Sequence, residues 1–305
     1  MKILRSVLFA PGDDPKKAGK AFSCGADAVV LDLEDAVAPE RKDAAREIAG
    51  KVLAEIQTGS TRRVPVFVRV NPVSSPYILK DLQAVIEFPI EGIMLAKAEA
   101  GEEVRRVDWL LGLLEQQKGI RPGGLGLIPF IESARGIERA IEIAGACARV
   151  RCLAFGGNDY TMDIGTAYSR EGSELFYARC RLVAASRLAG LAPPLDTVNP
   201  DFRDIPALVE EAQRVKQLGF QGKLVIHPAQ VAPVNEVFTP APGEIEWAKK
   251  VVAAFDQARA RGAGVIQLEG RMVELPVVRR AERILALAEA VSNKLTGLSP
   301  PENNN

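Results

Sequence analysis

Short runs of apolar residues alternate with longer, mixed segments along most of the chain. The runs have the length of buried strands, and the segments between them have the composition and spacing of helices. Strands are predicted at residues 3–10, 28–33, 64–70, 92–96, 126–131, 150–155, 193–198 and 222–226. Eight strands separated by helices predict a parallel sheet, either a doubly wound open sheet or a closed (β/α)8 barrel.

Polar residues lie at the exits of these predicted strands. They are Glu34, Arg69, Lys97, Glu132, Asp159 and His227. In a barrel, the carboxyl ends of all the strands meet at one rim, where enzymes with this fold place their chemistry. Six polar residues at six strand exits therefore favour the (β/α)8 barrel over the doubly wound sheet.

The pattern changes after Pro242. A helix is predicted at 244–260, a small hairpin at 265–274, and a last helix that begins at Pro276. The last helix has apolar residues at positions 277, 281, 284, 285, 288 and 291, which fall on one face. A hairpin and helix appended to a barrel predict a lid or an interface arm. We expect a barrel over residues 1–242, this extension over 243–298, and a disordered tail over 299–305.

The composition narrows the class of protein. Of the 305 residues, 47% are hydrophobic and 26% are charged, and 39 Lys and Arg balance 39 Asp and Glu. This balance offers no basic field to attract nucleic acid. The N-terminal apolar run is too short for a signal peptide, and no apolar segment approaches the ~20 residues that span a bilayer. The four cysteines form no C-x-x-C pair. We expect a cytoplasmic protein without nucleic acid or membrane partners.

The segment 153–165 has the clearest features of a site. Its buried strand ends at Gly156 and Gly157, where the backbone can turn sharply and approach a ligand closely. Asn158 and Asp159 then present polar side chains as a helix begins. A carboxylate at the carboxyl end of a buried strand is typical of α/β active sites. The alternative is that Asp159 only caps the helix.

Glu132 and Asp159 follow two successive predicted strands. Two hard carboxylate oxygens, with water in the remaining positions, suit Mg²⁺. Neither histidine nor cysteine belongs to this pair, which argues against zinc. The alternative for Glu132 is a favourable charge near a helix N-terminus, but it explains one acidic residue and not six polar strand exits.

Three further residues are candidates for the rim. Arg69 can bind a carboxylate or stabilise an enolate oxygen. Its alternative role is a salt bridge to Glu34 or Asp35. His227, the only histidine, can act as a base, but a structural hydrogen-bonding role is favoured. Asp196 in the seventh predicted strand is a further candidate.

Six motifs, in order, resemble the citrate lyase β-subunit (CitE-like) family of the HpcH/HpaI aldolase superfamily. The resemblance covers residues 5 to about 288. The motifs are Arg5-Ser-Val-Leu-Phe-Ala-Pro-Gly12, Asp27-x-Val-Val-Leu-Asp-Leu-Glu-Asp-Ala-Val37, Phe67-Val-Arg-Val-Asn71, Pro129-Phe-Ile-Glu-Ser133, Phe155-Gly-Gly-Asn-Asp159 and Lys223-Leu-Val-Ile-His-Pro-x-Gln230.

The resemblance implies a (β/α)8 barrel that makes or breaks a carbon–carbon bond between a 2-oxo acid and an acetyl thioester. Mg²⁺ on Glu132 and Asp159 would chelate the 2-oxo acid unit. Arg69 would bind the substrate and stabilise the enolate of the thioester. Glu34 and Asp35 would hold metal-bound waters. The implied substrate-binding residues are Arg69, Glu132, Gly157 and Asn158.

One motif departs from the family pattern. CoA-dependent relatives carry an acid/base Asp in a Gly-x-Met-x-Asp hairpin, whereas Gly270-Arg-Met-Val-Glu274 ends in Glu. The extra methylene moves the carboxylate by about 1.5 Å, enough to alter proton transfer. Glu274 is therefore a catalytic candidate, with Asp35 as the other. In relatives the hairpin reaches a neighbouring subunit, so a homotrimer is expected.

The predicted function is a Mg²⁺-dependent lyase that acts on a citryl-, citramalyl- or malyl-type thioester, carried by CoA or by an acyl-carrier protein. An aldolase for free pyruvate and an aldehyde is an alternative. A non-catalytic subunit that binds an acyl carrier is another. The presence of Arg69, Glu132, Asp159 and Glu274 speaks against the non-catalytic subunit.

Overall fold

The computed structural model describes residues 4–58 and 64–296, so the expected tail at 299–305 lies outside the described residues. The chain forms two compact units. One is Leu4–Phe238, and the other begins at Thr239. Within the described part of the chain, no helix is both long and apolar enough to cross a membrane.

The first unit is a closed barrel in which eight described strands pair in sequence order. All neighbouring strands are parallel, and β1 closes the barrel on β8 through the pairing of Ser6 with Lys223. The prediction of a (β/α)8 barrel is confirmed, and the doubly wound alternative is wrong. The strands are β1 (Ser6–Pro11), β2 (Ala28–Asp32), β3 (Val66–Val70), β4 (Gly92–Leu95), β5 (Gly126–Ile131), β6 (Ala154–Phe155), β7 (Leu195–Asp196) and β8 (Gly222–Val225).

Helices follow the strands, and local sequence sets several of their ends. Asp14, Ser133 and Asp204 accept hydrogen bonds from free backbone N–H groups at helix starts. Gly219, with a φ of 107°, ends the helix before β8. The helices are α1 (Pro15–Ala21), α2 (Lys42–Thr58), α3 (Ile78–Val85), α4 (Gly101–Gln117), α5 (Ala134–Glu138), α6 (Ala140–Ala144), α7 (Gly157–Asp163), α8 (Phe176–Leu188), α9 (Ile205–Leu218) and α10 (Val231–Phe238).

Alternate strand residues face opposite sides of the barrel wall. Leu8, Val29 and Val68 belong to a large apolar cluster that the helices share. Val7 and Val30 belong to a smaller cluster built from the alternate strand positions, together with residues of β3, β4 and β5. The barrel interior is therefore packed, as expected for eight strands, and the functional groups are left to the carboxyl ends of the strands.

Two predicted strands are longer than the observed ones. The predictions were 150–155 and 193–198, whereas β6 and β7 have two residues each. Pro193 and Pro194 lack the N–H that a ladder requires, which shortens β7. Val150 forms only an isolated bridge to Leu127.

The second unit contains a hairpin between two helices. Its elements are α11 (Pro242–Arg259), β9 (Ile266–Leu268), β10 (Arg271–Val273) and α12 (Leu275–Thr296). Glu269 and Gly270 both have positive φ, of 50° and 77°, at the tight turn of the antiparallel hairpin. Val251, Phe255 and Val278 are among the buried residues of its own apolar cluster. The predicted hairpin and final helix are confirmed.

Candidate metal and substrate site

A cavity of about 370 Å³ opens at the carboxyl ends of the barrel strands. Four residues predicted for the site line it, namely Asp35, Arg69, Asn158 and Asp159. The remaining lining residues are Phe9, Ala10, Pro11, Asp32, Ala36, Phe130, Gly156, Thr197, Val198 and Ile226. The cavity therefore lies at the rim where the barrel prediction placed the chemistry.

Three carboxylates lie together at this rim; Asp35 and Asp159 line the cavity, whereas the buried Glu132 is not among its lining residues. Oxygens of Asp35, Glu132 and Asp159 lie within 4.8 Å of one another. Glu132 is only 3% exposed, and its Oε1 accepts a hydrogen bond of 3.0 Å from the backbone N–H of Lys97. Its Oε2 is buried without a hydrogen-bond partner in the described part of the chain. A divalent cation would give this oxygen a partner, so the donor set fits Mg²⁺.

The raised pKa of Glu132 agrees with a carboxylate that lacks a cation as its partner. Burial raises the pKa of Glu132 well above its ordinary value, and the neighbouring Asp159 raises it further. The charge of Arg69 opposes this shift but does not overcome it. A bound cation would reverse the balance, because it favours the ionised form of each carboxylate.

The turn after β6 is built tightly against Glu132. A Cβ on Gly156 would lie 2.6 Å from Cγ of Glu132, so only glycine fits there. Gly156 is also the N-cap residue of α7, and no side chain caps this helix. The alternative in which Asp159 caps the helix is therefore wrong. Gly157 does not line the cavity, and its N–H donates to Oγ1 of Thr197 at 2.8 Å.

Arg69 is held rigidly at the edge of the cavity. Its Nε and Nη2 donate to Oδ1 and Oδ2 of Asp32 at 2.8 and 2.6 Å. Its Cζ lies 5.0 Å from the ring centroid of Phe9 and 5.6 Å from that of Phe130. Burial lowers the pKa of Arg69, but Asp32 and Glu34 outweigh it and leave the pKa raised. The guanidinium is therefore a permanent charge with a fixed direction.

Arg69 forms the salt bridges that were considered as its alternative role, and it also lies at the cavity. It lines the cavity, and its Nη1 lies 3.2 Å from Oε2 of Glu34 and 3.8 Å from Oδ2 of Asp35. The strongest partner, however, is Asp32, which the motif reading did not single out. A lone acidic residue inside an otherwise apolar strand is the signal that would have identified it.

Lys97 connects the two acidic residues that follow β2 with Glu132. Its Nζ lies 2.6 Å from Oε1 of Glu34 and 3.0 Å from Oδ1 of Asp35. Its φ of 50° lies in the left-handed region, which is uncommon for a residue with a side chain. This conformation accompanies the hydrogen bond from its N–H to Glu132. Burial raises the pKa of Glu34, whereas Glu34 and Lys97 outweigh burial at Asp35 and lower its pKa.

Asp196 and His227 do not line the cavity. Asp196 is fully buried and bonded to Arg179 and Lys223, so its prediction as a rim residue is wrong. Nδ1 of His227 accepts a hydrogen bond from the N–H of Ala229 at 3.2 Å, and its ring stacks on Phe202. His227 thus has the structural hydrogen-bonding role that was favoured.

Glu274 belongs to the second unit, where it follows β10 and is exposed. Its backbone carbonyl accepts hydrogen bonds from Val277 and Val278 at the start of α12. The backbone of Glu274 is therefore fixed where β10 meets α12, and its side chain is exposed within its own unit.

Sequence patterns missed the apolar lining of the cavity. Phe9, Phe130, Val198 and Ile226 have the pattern of ordinary core residues. Their only signal is position, because each lies in the last part of a strand or just after it.

Sequence models of two families match the chain. The model of the HpcH/HpaI aldolase/citrate lyase family matches residues 5–228. A second, described as a C–C bond lyase of the TIM-barrel fold, matches residues 185–292.

Individual relatives agree with these matches. Citrate lyase subunit beta of Leuconostoc mesenteroides subsp. cremoris is 37% identical, over 95% of this chain and 94% of that protein. Mitochondrial citramalyl-CoA lyase of Mus musculus is 35% identical, over 95% of this chain and 87% of that protein.

A solved structure also resembles this one. Protein CitE from Mycobacterium tuberculosis, in complex with magnesium, acetoacetate and coenzyme A, has a TM-score of 0.76 and 30% identity. The likeness covers 94% of this chain and 98% of that one. This protein therefore belongs to the HpcH/HpaI aldolase/citrate lyase family.

Proposed function

We propose that this protein is a Mg²⁺-dependent carbon–carbon lyase, which cleaves a citryl-, citramalyl- or malyl-type thioester into an acetyl thioester and a 2-oxo acid. The buried carboxylate of Glu132 carries the proposal. Its Oε2 has no partner among the described residues, Asp35 and Asp159 lie close to it, and Arg69 borders the same cavity. The names of the relatives, and the ligands of the solved structure, support the same chemistry.

Glu132 and Asp159 would hold the magnesium ion, and Glu34 and Asp35 would orient its waters. When bound, the ion would withdraw negative charge from the substrate oxygens as the carbon–carbon bond breaks. Glu132 suits this task because its backbone is fixed after β5 and Gly156 packs directly on its side chain.

Arg69 would stabilise the negative charge that passes to the thioester oxygen. Its orientation is fixed by Asp32 and by the rings of Phe9 and Phe130 before any substrate arrives. A preorganised donor is effective because it costs no reorganisation during the reaction. Asn158, exposed at the cavity, would bind the substrate. Gly157 would contribute to substrate binding indirectly, because the hydrogen bond from its N–H fixes the side chain of Thr197 at the cavity.

Cleavage also requires proton transfers. The 3-hydroxyl loses a proton, the carbon–carbon bond breaks, and the enolate of the acetyl thioester gains a proton. We assign the second transfer to Glu274, an exposed carboxylate that follows β10. Asp35, whose lowered pKa favours its ionised form, is the candidate to accept the proton of the 3-hydroxyl in the first transfer.

The thioester carrier would be CoA or the prosthetic group of an acyl-carrier protein. A second cavity, of about 530 Å³, shares Pro11 and Ala36 with the first and is lined by Lys16, Lys17 and Arg41. Asp14 pairs with Lys17 and Asp13 with Arg41, whereas Lys16 is exposed beside them. Basic groups next to the site suit the phosphates of either carrier. We further propose that the protein is a homotrimer, as its resemblance to the citrate lyase β-subunit family implies, and that it acts in the cytoplasm.

The test is cleavage of citryl-, citramalyl- and malyl-CoA with Mg²⁺, monitored by release of the 2-oxo acid. EDTA should abolish cleavage, and added Mg²⁺ should restore it. Asp159→Asn should lose activity and Mg²⁺ binding, whereas Glu47→Gln, on the exposed face of α2, serves as the matched control. Glu274→Gln should lose cleavage and retain Mg²⁺ binding.

Two outcomes would replace the proposal. Turnover of free pyruvate with an aldehyde, but of no thioester, would identify an aldolase. Binding of an acyl carrier without turnover of any substrate would identify a non-catalytic subunit. Full cleavage by metal-free protein would contradict the assignment of Glu132 and Asp159.

A further inference from the structure

The cavity has two chemically different sides. The polar side is formed at the carboxyl ends of β2 and β3 and after β6 by Asp32, Asp35, Arg69, Asn158 and Asp159. The apolar side is formed at the ends of β7, β8 and β1 by Val198, Ile226, Phe9, Ala10 and Pro11. Because the strands follow one another around the barrel, these two groups occupy different arcs of the rim.

The apolar side offers little to a charged group. Its one polar side chain, Thr197, accepts the N–H of Gly157 through Oγ1, which leaves only its hydroxyl hydrogen for a ligand. Among the described residues that line the cavity, Arg69 is the only cation, and Asp32 occupies two of its nitrogens. A carboxylate placed against Val198 and Ile226 would lose hydration and gain no cation, with the Thr197 hydroxyl as its one side-chain donor.

The proposed substrates differ at one position only. The carbon that bears the hydroxyl also carries a carboxylate, the acyl thioester arm and a third substituent. That substituent is hydrogen in malyl, methyl in citramalyl and carboxymethyl in citryl thioesters. If the hydroxyl and carboxylate occupy the polar side, the neutral acyl arm and the third substituent share the apolar side. A charged third substituent would therefore be desolvated in either arrangement.

We infer that the third substituent is uncharged, either hydrogen or a short alkyl group, so that the 2-oxo acid released is of the glyoxylate or pyruvate class and not of the oxaloacetate class. The inference rests on the proposed function and selects among its substrates. The apolar residues of β1, β7 and β8 are then the determinants of specificity.

Binding measurements test the inference without requiring turnover. Calorimetry in excess Mg²⁺ would compare pyruvate, 2-oxobutyrate, 4-methyl-2-oxopentanoate and freshly prepared oxaloacetate. The branched acid matches oxaloacetate in the size of its substituent but lacks the charge. Pyruvate should bind at least about tenfold more tightly than oxaloacetate. The branched acid should also bind more tightly than oxaloacetate, which separates charge from size.

A substitution at Ile226 sharpens the test. Ile226 is 43% exposed, and Oε1 of the buried Gln230 holds its backbone N–H at 2.9 Å, so a longer side chain can be accommodated. Ile226→Arg adds a cation to the apolar side and should shift the preference towards oxaloacetate by about tenfold. Ile226→Met, similar in length but neutral, should keep the preference for pyruvate.

The outcomes separate this inference from the proposed function. Oxaloacetate binding as tightly as pyruvate to the parent protein would overturn the inference and leave a lyase of the citryl type. The same shift in Ile226→Arg and Ile226→Met would also overturn it, because charge would not be the determinant. Failure of every 2-oxo acid to bind in the presence of Mg²⁺ would overturn both.

Discussion

Two groups of charged residues lie on different arcs of the barrel, one of them partly exposed at the cavity and the other buried, and they differ in how many of their buried charges have a partner. The site cluster comprises Asp32, Glu34, Asp35, Arg69, Lys97, Glu132 and Asp159. The β7–β8 cluster comprises Arg179, Asp196, Glu211 and Lys223 with the hydroxyl of Tyr168. The first has five carboxylates and two cations, and the second has two of each.

The β7–β8 cluster is closed by strong pairs. Oδ1 of Asp196 accepts a hydrogen bond of 2.8 Å from Nε of Arg179, and Oδ2 accepts one of 2.6 Å from Nζ of Lys223. The side chains of Asp196 and Lys223 are fully buried. Glu211 receives Nη2 of Arg179 at 2.6 Å and lies 3.0 Å from Nζ of Lys223. Burial raises the pKa of Glu211, but Lys223 and Arg179 outweigh it and lower the pKa to about 2.

The comparison shows that burial alone does not identify a functional carboxylate. Glu132 and Glu211 are each 3% exposed, yet the pKa of Glu132 is raised and that of Glu211 is lowered. Cations complete the surroundings of Glu211, whereas one oxygen of Glu132 lacks a partner in the described chain. A cluster with an unpartnered buried carboxylate oxygen can bind a cation through that oxygen. A cluster in which every buried charge has a partner stabilises the fold.

Lys223→Met should break the complete cluster and have the largest effect on stability. It leaves Asp196 and Glu211 with less compensation in a fully buried place, at a cost of about 3–5 kcal/mol in the free energy of unfolding. Urea unfolding of the variant, with exposed Lys20→Met as control, measures the cost. A loss no greater than that of the control would mean that the cluster contributes little to stability.

Glu211→Gln tests the pH dependence of the same cluster. Because the folded pKa of Glu211 lies below its ordinary 4.5, its contribution to stability is present above pH 4.5 and is lost as the pH falls towards about 2. The parent should therefore be much more stable than the variant at pH 7, and the difference should shrink between pH 4.5 and pH 3. A difference that stays constant over this range would refute the assignment.

Glu132→Gln should not reduce the stability of the protein, unlike Lys223→Met, but it should greatly reduce activity. Its kcat/KM should fall by about 1,000-fold, because a metal ligand is lost. Since burial raises the pKa of Glu132, the folded metal-free protein disfavours the ionised carboxylate that the unfolded chain prefers at neutral pH, so the neutral glutamine variant should melt at the same or a higher temperature. Thermal melts without Mg²⁺ and calorimetric Mg²⁺ binding test both parts, with Glu47→Gln as control. A large drop in melting temperature would place Glu132 among the stabilising residues.

Arg69→Lys keeps the charge and removes the planar fork that Asp32 and the two phenylalanine rings orient. We expect kcat/KM to fall by about 100-fold, while Mg²⁺ affinity remains close to that of the parent. Steady-state kinetics and Mg²⁺ titration separate the two quantities, and Arg106→Lys on the exposed face of α4 is the matched control. A change of only a fewfold in kcat/KM would assign Arg69 to structure.

His227→Ala should have the smallest effect. It removes one hydrogen bond at a short 3-10 helix and the stacking on Phe202, with an expected cost of about 1 kcal/mol in stability. Catalytic rates should remain within a fewfold of the parent. A severe loss of turnover with intact folding would make His227 the missing base.

Sequence patterns predicted the barrel because its signals are local. Each strand is a short apolar run, and the residue after it must lie at the rim, which is why Asp35, Arg69 and Asp159 were found at the cavity. Fully buried parallel strands are apolar on both sides, so no alternation reveals which residues face inward. Phe9 and Phe130 were therefore indistinguishable from the residues that pack against helices.

The partners of Asp196 were also beyond sequence reasoning. Arg179 lies in α8, Glu211 in α9 and Lys223 in β8, and only the closed barrel brings them together. An acidic residue at a strand end is consistent with either a site or an internal pair. The choice depends on whether distant cations reach it, and a single sequence does not show this.

The contact between Gly156 and Glu132 has a consequence for mutational tolerance. In a saturation scan for activity, every replacement of Gly156 should reduce function, although this residue carries no functional group of its own. Gly156→Ala would displace the Glu132 carboxylate while leaving every charge of the site in place, because the added carbon would lie 2.6 Å from Cγ. Substitution of Gly156 can therefore change the position of the Glu132 carboxylate without changing its chemistry.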